Sequence, residues 1–456
     1  MSTRERIVFA SGDIFGGGGS ALIGVLYLFY LTDVMLISPG AAATAVFIPR
    51  IWDAINNPLV GIWSDNTRTK WGRRRPWIMF GAPFLVLAMA MYWAPIGGWE
   101  SETTKVLWVI GAGLFYTTVA TMVAVPYGSL SAEISTEYDE RNTVNILRLL
   151  FSTVASAGVT LLAGLLVNRY TRGVIDDTML YLIIVVGFGL LFAVPAFFAG
   201  AMSRERAAIP QEKARLTFAE IVSPLELASF RNLLGLYIAQ GLSMDIIQAL
   251  IVYYSLYVIR ADVTVFLGAF IVVNIVAFPL VNWLVKRISK QTIYRALLPL
   301  AMIAALGVAV YPAGAPTAGV YALAACLAVG MSGSIIMVWV MFPDVMDDAE
   351  LQVGRRDAGV YSGLMTLIRG ISTAIGITVI GWMLELTGYL APEDYETAVQ
   401  PDAVLIGIRV TLAVAVIVIM GLAWWLSARY PLTLERCAEI RQELAERNDG
   451  EADADD

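Results

Sequence analysis

Histidine is absent from the 456 residues, so the side chain that most often shuttles protons near neutral pH plays no part, and carboxylates are left to titrate inside any apolar segment. Cysteine occurs twice, Cys326 in an apolar run and Cys437 in a polar tail; neither a disulfide framework nor a thiolate metal site can be built from them. Charge is scarce too. Asp, Glu, Lys and Arg make up 15% of the chain against 58% hydrophobic residues, and the mean hydropathy is +0.70, which excludes an ordinary soluble domain. No alternating ten-residue pattern of the membrane-barrel kind is visible, which leaves helices as the spanning elements. Without histidine, a nucleophile motif or a metal cluster, an enzyme is not expected, and no cofactor is called for. The basic residues flank apolar segments instead of forming one face, so nucleic acid is not expected as a partner.

What is present is a series of runs long enough, at roughly 20 residues each, to cross a bilayer core. Hydropathy places twelve at about 7–34, 41–64, 76–96, 105–132, 143–168, 178–202, 229–258, 263–285, 292–312, 317–342, 358–386 and 402–428. The first is too long for a cleaved signal peptide and lacks a small-residue cleavage site. Arg4, Arg6, the Arg68–Arg75 cluster, Arg141, Arg204–Arg215, Lys286–Arg295, Arg355 and Arg356 fall on one side, whereas the opposite loops hold only Lys105, Arg169, Arg172 and Arg260. The positive-inside rule therefore puts both termini in the cytoplasm.

The longest polar connection, about Ser203–Pro224, divides the spans six and six, the two-bundle plan of a major facilitator transporter. The expected organisation is a six-helix bundle over 1–203, a linker over 204–227, a second bundle over 228–430 and a cytoplasmic end over 431–456. That end combines an amphipathic helix lying on the cytoplasmic face, with Leu434, Cys437, Ile440 and Leu444 at helical spacing, and an acidic tail that supplies much of the net charge of −7. An internal echo fits a repeat: Pro126-Tyr127-Gly128-Ser129-Leu130-Ser131-Ala132-Glu133 leads to Arg141 and Arg148, and Trp339-Val340-Met341-Phe342-Pro343-Asp344 leads to Arg355, Arg356 and Arg369.

Within the second span, Arg50, Asp53 and Asn57 stand at i, i+3 and i+7, one helical face continued by Gly61. An ion in hydrocarbon is expensive, so Asp53 is expected to face a protein cavity. With the carbonyl oxygens of Asn56 or Asn57 it offers hard ligands for a small cation, it can equally take up a proton, and an Asp53–Arg50 ion pair closing a helix interface reads the same spacing as well. Four consecutive glycines, Gly16–Gly19, point either to close helix packing or to an opened cavity with Gly17 against the substrate.

The run Arg50-Ile51-Trp52-Asp53-Ala54-Ile55-Asn56-Asn57-Pro58-Leu59-Val60-Gly61, followed by Ser64-Asp65, Thr67-Arg68 and Trp71-Gly72-Arg73-Arg74-Arg75-Pro76-Trp77, closely resembles the signature of the glycoside-pentoside-hexuronide cation symporters. The likeness continues through Pro126-Tyr127, Asp139-Glu140-Arg141, Arg148, Pro343-Asp344-Val345-Met346-Asp347-Asp348-Ala349-Glu350, Gly359-Val360-Tyr361 and Arg369, and so covers both halves. It implies an all-α membrane protein of the major facilitator fold in a bacterial inner (plasma) membrane, surrounded by lipid and expected as a monomer, that carries a sugar or glycoside together with Na⁺ or H⁺.

Position by position, the resemblance implies a cation site of Asp53, Thr121 and Asn57, with Asn56 beside it; Asn57 stands where the family has a second carboxylate, which weakens a Na⁺ site and opens proton coupling or uncoupled uniport as alternatives. The family's galactoside carboxylates are missing: their places fall within Gly16–Gly19 and at Ala124. Arg148 and Arg369 remain as cavity bases and suggest an anionic substrate such as a hexuronide, whereas Asp245 can pair with Arg369 or bind sugar hydroxyls with Gln248. Trp339 completes the substrate set. Asp65, Arg68, Arg73, Arg141 and Asp344 are expected at the cytoplasmic gates, pairing across helix ends. Animal lysophospholipid symporters share the Trp-Asp-Ala and Pro-Asp-Val-x-Asp-Asp motifs, so a lipid carrier is the competing class.

Overall fold

The computed structural model describes all residues except 136, 207–221, 286, 313–314, 355–357, 393–394, 396–398, 434, 441, 445 and 447–456. Arg355, Arg356, Lys286, Leu434, most of the expected linker and the acidic tail lie outside the described residues. The described residues are helices joined by short turns and loops, with one isolated antiparallel bridge between Thr69 and Gly72.

Among the described residues twelve long helices follow in order: α1 (Thr3–Tyr27), α2 (Pro39–Asn66), α3 (Arg75–Tyr92), α4 (Glu102–Glu133), α5 (Tyr138–Thr171), α6 (Asp177–Met202), α7 (Ala228–Val258), α8 (Val263–Val285), α9 (Lys290–Val310), α10 (Thr317–Val353), α11 (Ala358–Leu386) and α12 (Asp402–Ala428). Eleven are long and apolar enough to cross a membrane. The exception is α2, whose 28 residues would reach about 42 Å but which carries Arg50, Asp53, Asn56 and Asn57 at its centre. The helix that fails the hydropathy test is the one that holds the motif.

Local chemistry sets the ends. Pro39 opens α2, where its missing N–H costs nothing; the Asp176 carboxylate caps α6 by accepting from the Met179 amide at 2.8 Å; Gly354 ends α10 in the left-handed conformation at φ 75°. A turn at Gly12-Asp13 interrupts α1 ahead of the glycine run, and further on the helix widens into π-type turns at Ile23–Tyr27 and Tyr30–Val34.

By contacts the chain forms two units. The first comprises Met1–Arg215, Gln248–Leu267 and Ala374–Ile408; the second comprises Leu216–Ile247, Gly268–Thr373 and Arg409–Asp456. At the heart of the first, Tyr27, Tyr92 and Tyr116 stack, with centroids 4.0 and 4.7 Å apart, and Trp52 on α2 donates its indole N–H to Thr118 on α4 at 2.8 Å. The second is built on an apolar core including Phe230, Leu298, Leu327, Met341 and Met420. Ile440 is buried in that core with Cys437 and Leu444 packed on it. The expected amphipathic helix therefore turns its apolar stripe onto protein, where sequence alone suggested the cytoplasmic membrane face.

Candidate functional site

Asp53 lies midway along α2, between Pro49 and Pro58. Thr121 of α4 donates its hydroxyl to the Asp53 carboxylate at 3.1 Å, and the Asn57 amide and Arg50 guanidinium act on the same carboxylate. Pro58 has no N–H to give the Ala54 carbonyl, so a backbone oxygen next to Asp53 loses its usual helical donor. Asn56 is buried at 1% exposure with its Nδ2 unpartnered. Asp53 and Thr121 thus come together with Asn57 beside them; among the described residues no ion pair within 4 Å joins Arg50 to Asp53, so the helix-closing ion pair that the spacing also allowed is not formed. Among the described residues no group of three or more His, Cys, Asp or Glu gathers as for a multivalent metal. One carboxylate with hydroxyl and amide oxygens suits a monovalent cation or a proton.

Arg148 and Arg369, the two expected cavity bases, are both paired, each within its own unit. In the first, Arg148 of α5 meets Asp13 of α1 at 3.2 Å, donates to the Asn145 side-chain carbonyl at 3.1 Å and lies over the Tyr127 ring, 4.7 Å from its centre. Its Nε is buried without a partner. Gly17 permits this arrangement. A Cβ there would stand 2.7 Å from the Ser152 hydroxyl and closer still to the Ser152 carbonyl oxygen. Close helix packing, one of the two readings that the glycine run allowed, accounts for Gly17.

In the second unit Arg369 of α11 grips Asp245 of α7 with two N–H groups at 2.5 and 2.8 Å and donates to the Gly241 carbonyl at 3.1 Å. Its guanidinium packs against Gly241, where a Cβ would come within 2.6 Å of Cζ. Trp339, 55% exposed, meets Tyr237 edge to face at 5.7 Å. Gln248 belongs to the first unit, where its side-chain oxygen lies over Gly24.

The expected gate residues form two clusters. In the first unit Arg74 bridges Asp65 at 2.7 Å and Glu133 at 2.8 Å; Arg73 also pairs with Glu133, while Arg68 donates to the Asp65 and Thr67 carbonyls. The Glu205 carboxylate accepts the backbone N–H groups of Arg73, Arg74 and Arg75 at 2.8 to 3.1 Å. These contacts tie α2, α3 and α4 within one unit, and the Arg141 side chain joins none of them. In the second unit Asp344 pairs with Lys290 at 2.5 Å.

Sequence reasoning missed Asp13, Glu133 and Glu205. Asp13 had a signal: it is a carboxylate inside an apolar run, the same criterion that singled out Asp53. Glu133 and Glu205 look like ordinary loop acids, and only the fold brings them to the arginines.

The chain is similar to known membrane carriers along nearly its whole length. The chain is 25% identical to a glucuronide carrier protein homolog of Escherichia coli over 98% of this chain and 96% of that one, and 22% identical to the sodium-dependent lysophosphatidylcholine symporter 1 of Gallus gallus over 99% and 93%. Among solved structures, the inward-open xylose transporter XylE of E. coli superposes with a TM-score of 0.60 at 13% identity, covering 96% of this chain and 99% of that one. Twelve helices of major facilitator type, intramembrane carboxylates held by hydroxyl and guanidinium groups and these likenesses make a multi-pass membrane transporter and no enzyme: the chain belongs to the MFS/sugar transport protein family, whose model matches residues 8–434.

Proposed function

We propose that this transporter is a symporter that couples movement of a glycoside or related sugar to a cation by alternating access. The observation that carries the reading is the Thr121–Asp53 hydrogen bond at 3.1 Å, which sets an intramembrane carboxylate that has no ion-pair partner within 4 Å among the described residues beside a hydroxyl. Such a group binds Na⁺ or a proton and little else. The similarity to named sugar carriers supports the substrate class, and the basic loops support cytoplasmic termini.

For the substrate, the paired arginines favour a neutral polyhydroxylated molecule. A guanidinium–carboxylate pair still presents N–H donors on the guanidinium and acceptor oxygens on the carboxylate to hydroxyls. A hexuronide would have to displace Asp13 or Asp245 and leave a buried carboxylate uncompensated. Uptake of labelled neutral glycosides, glucuronides and a lysophospholipid into proteoliposomes under imposed Na⁺ or H⁺ gradients tests the reading. Gradient-driven accumulation of a neutral glycoside supports it. Downhill flux with no accumulation under either gradient leaves a uniporter, and lysophospholipid uptake exceeding that of every sugar overturns the substrate class.

A further inference from the structure

Past Tyr27 the first span continues into the π-type turn Tyr30–Val34, which carries a carboxylate that the proposed site does not use. Asp33 is 4% exposed. Its Oδ1 accepts from the hydroxyls of Tyr389 at 2.7 Å, Tyr257 at 3.0 Å and Tyr395 at 3.3 Å, and its Oδ2 accepts from Thr32 at 2.5 Å. The Thr32 oxygen in turn lies 2.9 Å from the Tyr253 hydroxyl. The tyrosines come from the end of α7 and the stretch after α11, segments that belong with α1 in the first contact unit.

No ammonium or guanidinium is among the described partners of Asp33. Lys105, at the start of α4, donates to the Met35 and Gly97 carbonyls at 2.9 and 2.7 Å. Tyr170 of α5 meets Tyr395 edge to face at 6.3 Å and gives its proton to Asp177 at 2.9 Å. The cluster stands at the sparsely basic end of the molecule, the side of Lys105, Arg169, Arg172 and Arg260.

Counting protons shows what the cluster does. With Asp33 ionised, Tyr257, Tyr389, Tyr395 and Thr32 donate to it and Tyr253 donates to Thr32, so each of the five hydroxyl protons has an acceptor. When one proton from the outer solution binds Oδ2, the carboxyl donates to the Thr32 oxygen and the Thr32 proton turns to the Leu28 carbonyl at 3.1 Å. Neither state strands a donor. They differ in strength, because the ionised state holds its hydroxyls with charge-assisted bonds about twice as strong as neutral ones. Burial, and then the Asp33 carboxylate, push the Tyr389 and Tyr395 phenols up, so both keep their protons and the carboxyl is left as the group that gains or loses one.

We propose that Asp33 is a reversible proton-binding site: ionised, it fastens the sparsely basic end of the molecule shut, and protonated, it releases that end to open. What opening accomplishes rests on the alternating-access reading; whether it occurs can be read without transport.

Ser255, fully buried near the end of α7 with an unpartnered hydroxyl, accepts a cysteine at little cost. In full-length protein with Cys326 and Cys437 replaced by serine, Ser255→Cys in proteoliposomes is treated with a membrane-impermeant maleimide from the outside across a range of pH. Rates are normalised to the exposed Thr103→Cys, which cancels the thiol's own pH response. Normalised labelling should rise several-fold as the outer pH falls. Adding Asp33→Asn should hold it at the high level at every pH, and Tyr257→Phe with Tyr389→Phe should raise it while keeping the pH response. Labelling that is flat with pH in the Asp33 protein, or a pH response that survives Asp33→Asn, overturns the proposal. Should Asp33→Asn fail to fold, the tyrosine variant decides, and labelling equal to that of the parent counts against it. Because no outcome depends on solute uptake, failure of the symport reading would appear separately.

Discussion

Gly17 and Ser152 bring α1 and α5 so close that a methyl group on Gly17 would overlap the Ser152 backbone. Four residues earlier on each helix stand Asp13 and Arg148, the paired ions of the first unit. The close approach and the ion pair are one arrangement. Gly17→Ala should cost about 1–3 kcal/mol through overpacking and lower the melting temperature. Gly111 provides the control, because a methyl group there would meet nothing within 4 Å: Gly111→Ala should be neutral or stabilising by up to about 1 kcal/mol. A Gly17→Ala protein as stable as its parent would contradict the packing.

At the candidate cation site, Thr121→Ala removes one hydroxyl from Asp53, and loss of a bond to a charged group at about 1.5–3 kcal/mol should raise the half-saturating cation concentration at least tenfold. Thr121→Ser should restore it. Asp53→Asn should abolish gradient-driven accumulation while leaving downhill exchange, measured in the same vesicles. Full accumulation by Asp53→Asn would remove Asp53 from coupling.

Asn57→Asp tests the missing charge directly. A second carboxylate one turn from Asp53 strengthens a hard-cation site, so the half-saturating Na⁺ concentration should fall and Na⁺-driven uptake should appear or increase. An unchanged response to Na⁺ would mean that residue 57 does not face the ion.

Asp245→Asn or Arg369→Gln alone leaves a partly buried ion without its partner, a loss of about 3–5 kcal/mol for a buried pair. Combining the two should recover a large part of it. Thermal melting of the four proteins yields the coupling, and strict additivity of the single losses would show that the pair contributes little.

Much of this was legible in the sequence, and the exceptions have physical causes. Span positions follow from hydropathy because crossing the bilayer core requires a run of roughly 20 apolar residues in each helix. The contact between Asp53 and Thr121 was reachable through the motif, and α2, placed at 41–64 by hydropathy, is the one long helix not apolar enough by length and composition to count among the candidate spans. Gly17 was not interpretable alone, since a missing side chain signals close approach and open space equally well. Asp33 lay in plain view as a carboxylate in an apolar run. Its meaning was hidden because Tyr257, Tyr389 and Tyr395 stand 224 to 362 residues away, and no local spacing relates them. The C-terminal stripe of Cys437, Ile440 and Leu444 announced an apolar partner without saying whether protein or lipid would cover it.

The polarity of α2 also bears on how the chain enters the bilayer during synthesis. Its neighbours can partition into lipid one at a time, whereas a lone helix carrying Arg50, Asp53, Asn56 and Asn57 would cross hydrocarbon at a penalty of a few kcal/mol per charged group. The Thr118 and Thr121 hydroxyls that meet Trp52 and Asp53 arrive only with α4. Integration of α2 is therefore coupled to the emergence of α4, and the residues that make the candidate ion site also set the order in which the first helices settle into the membrane.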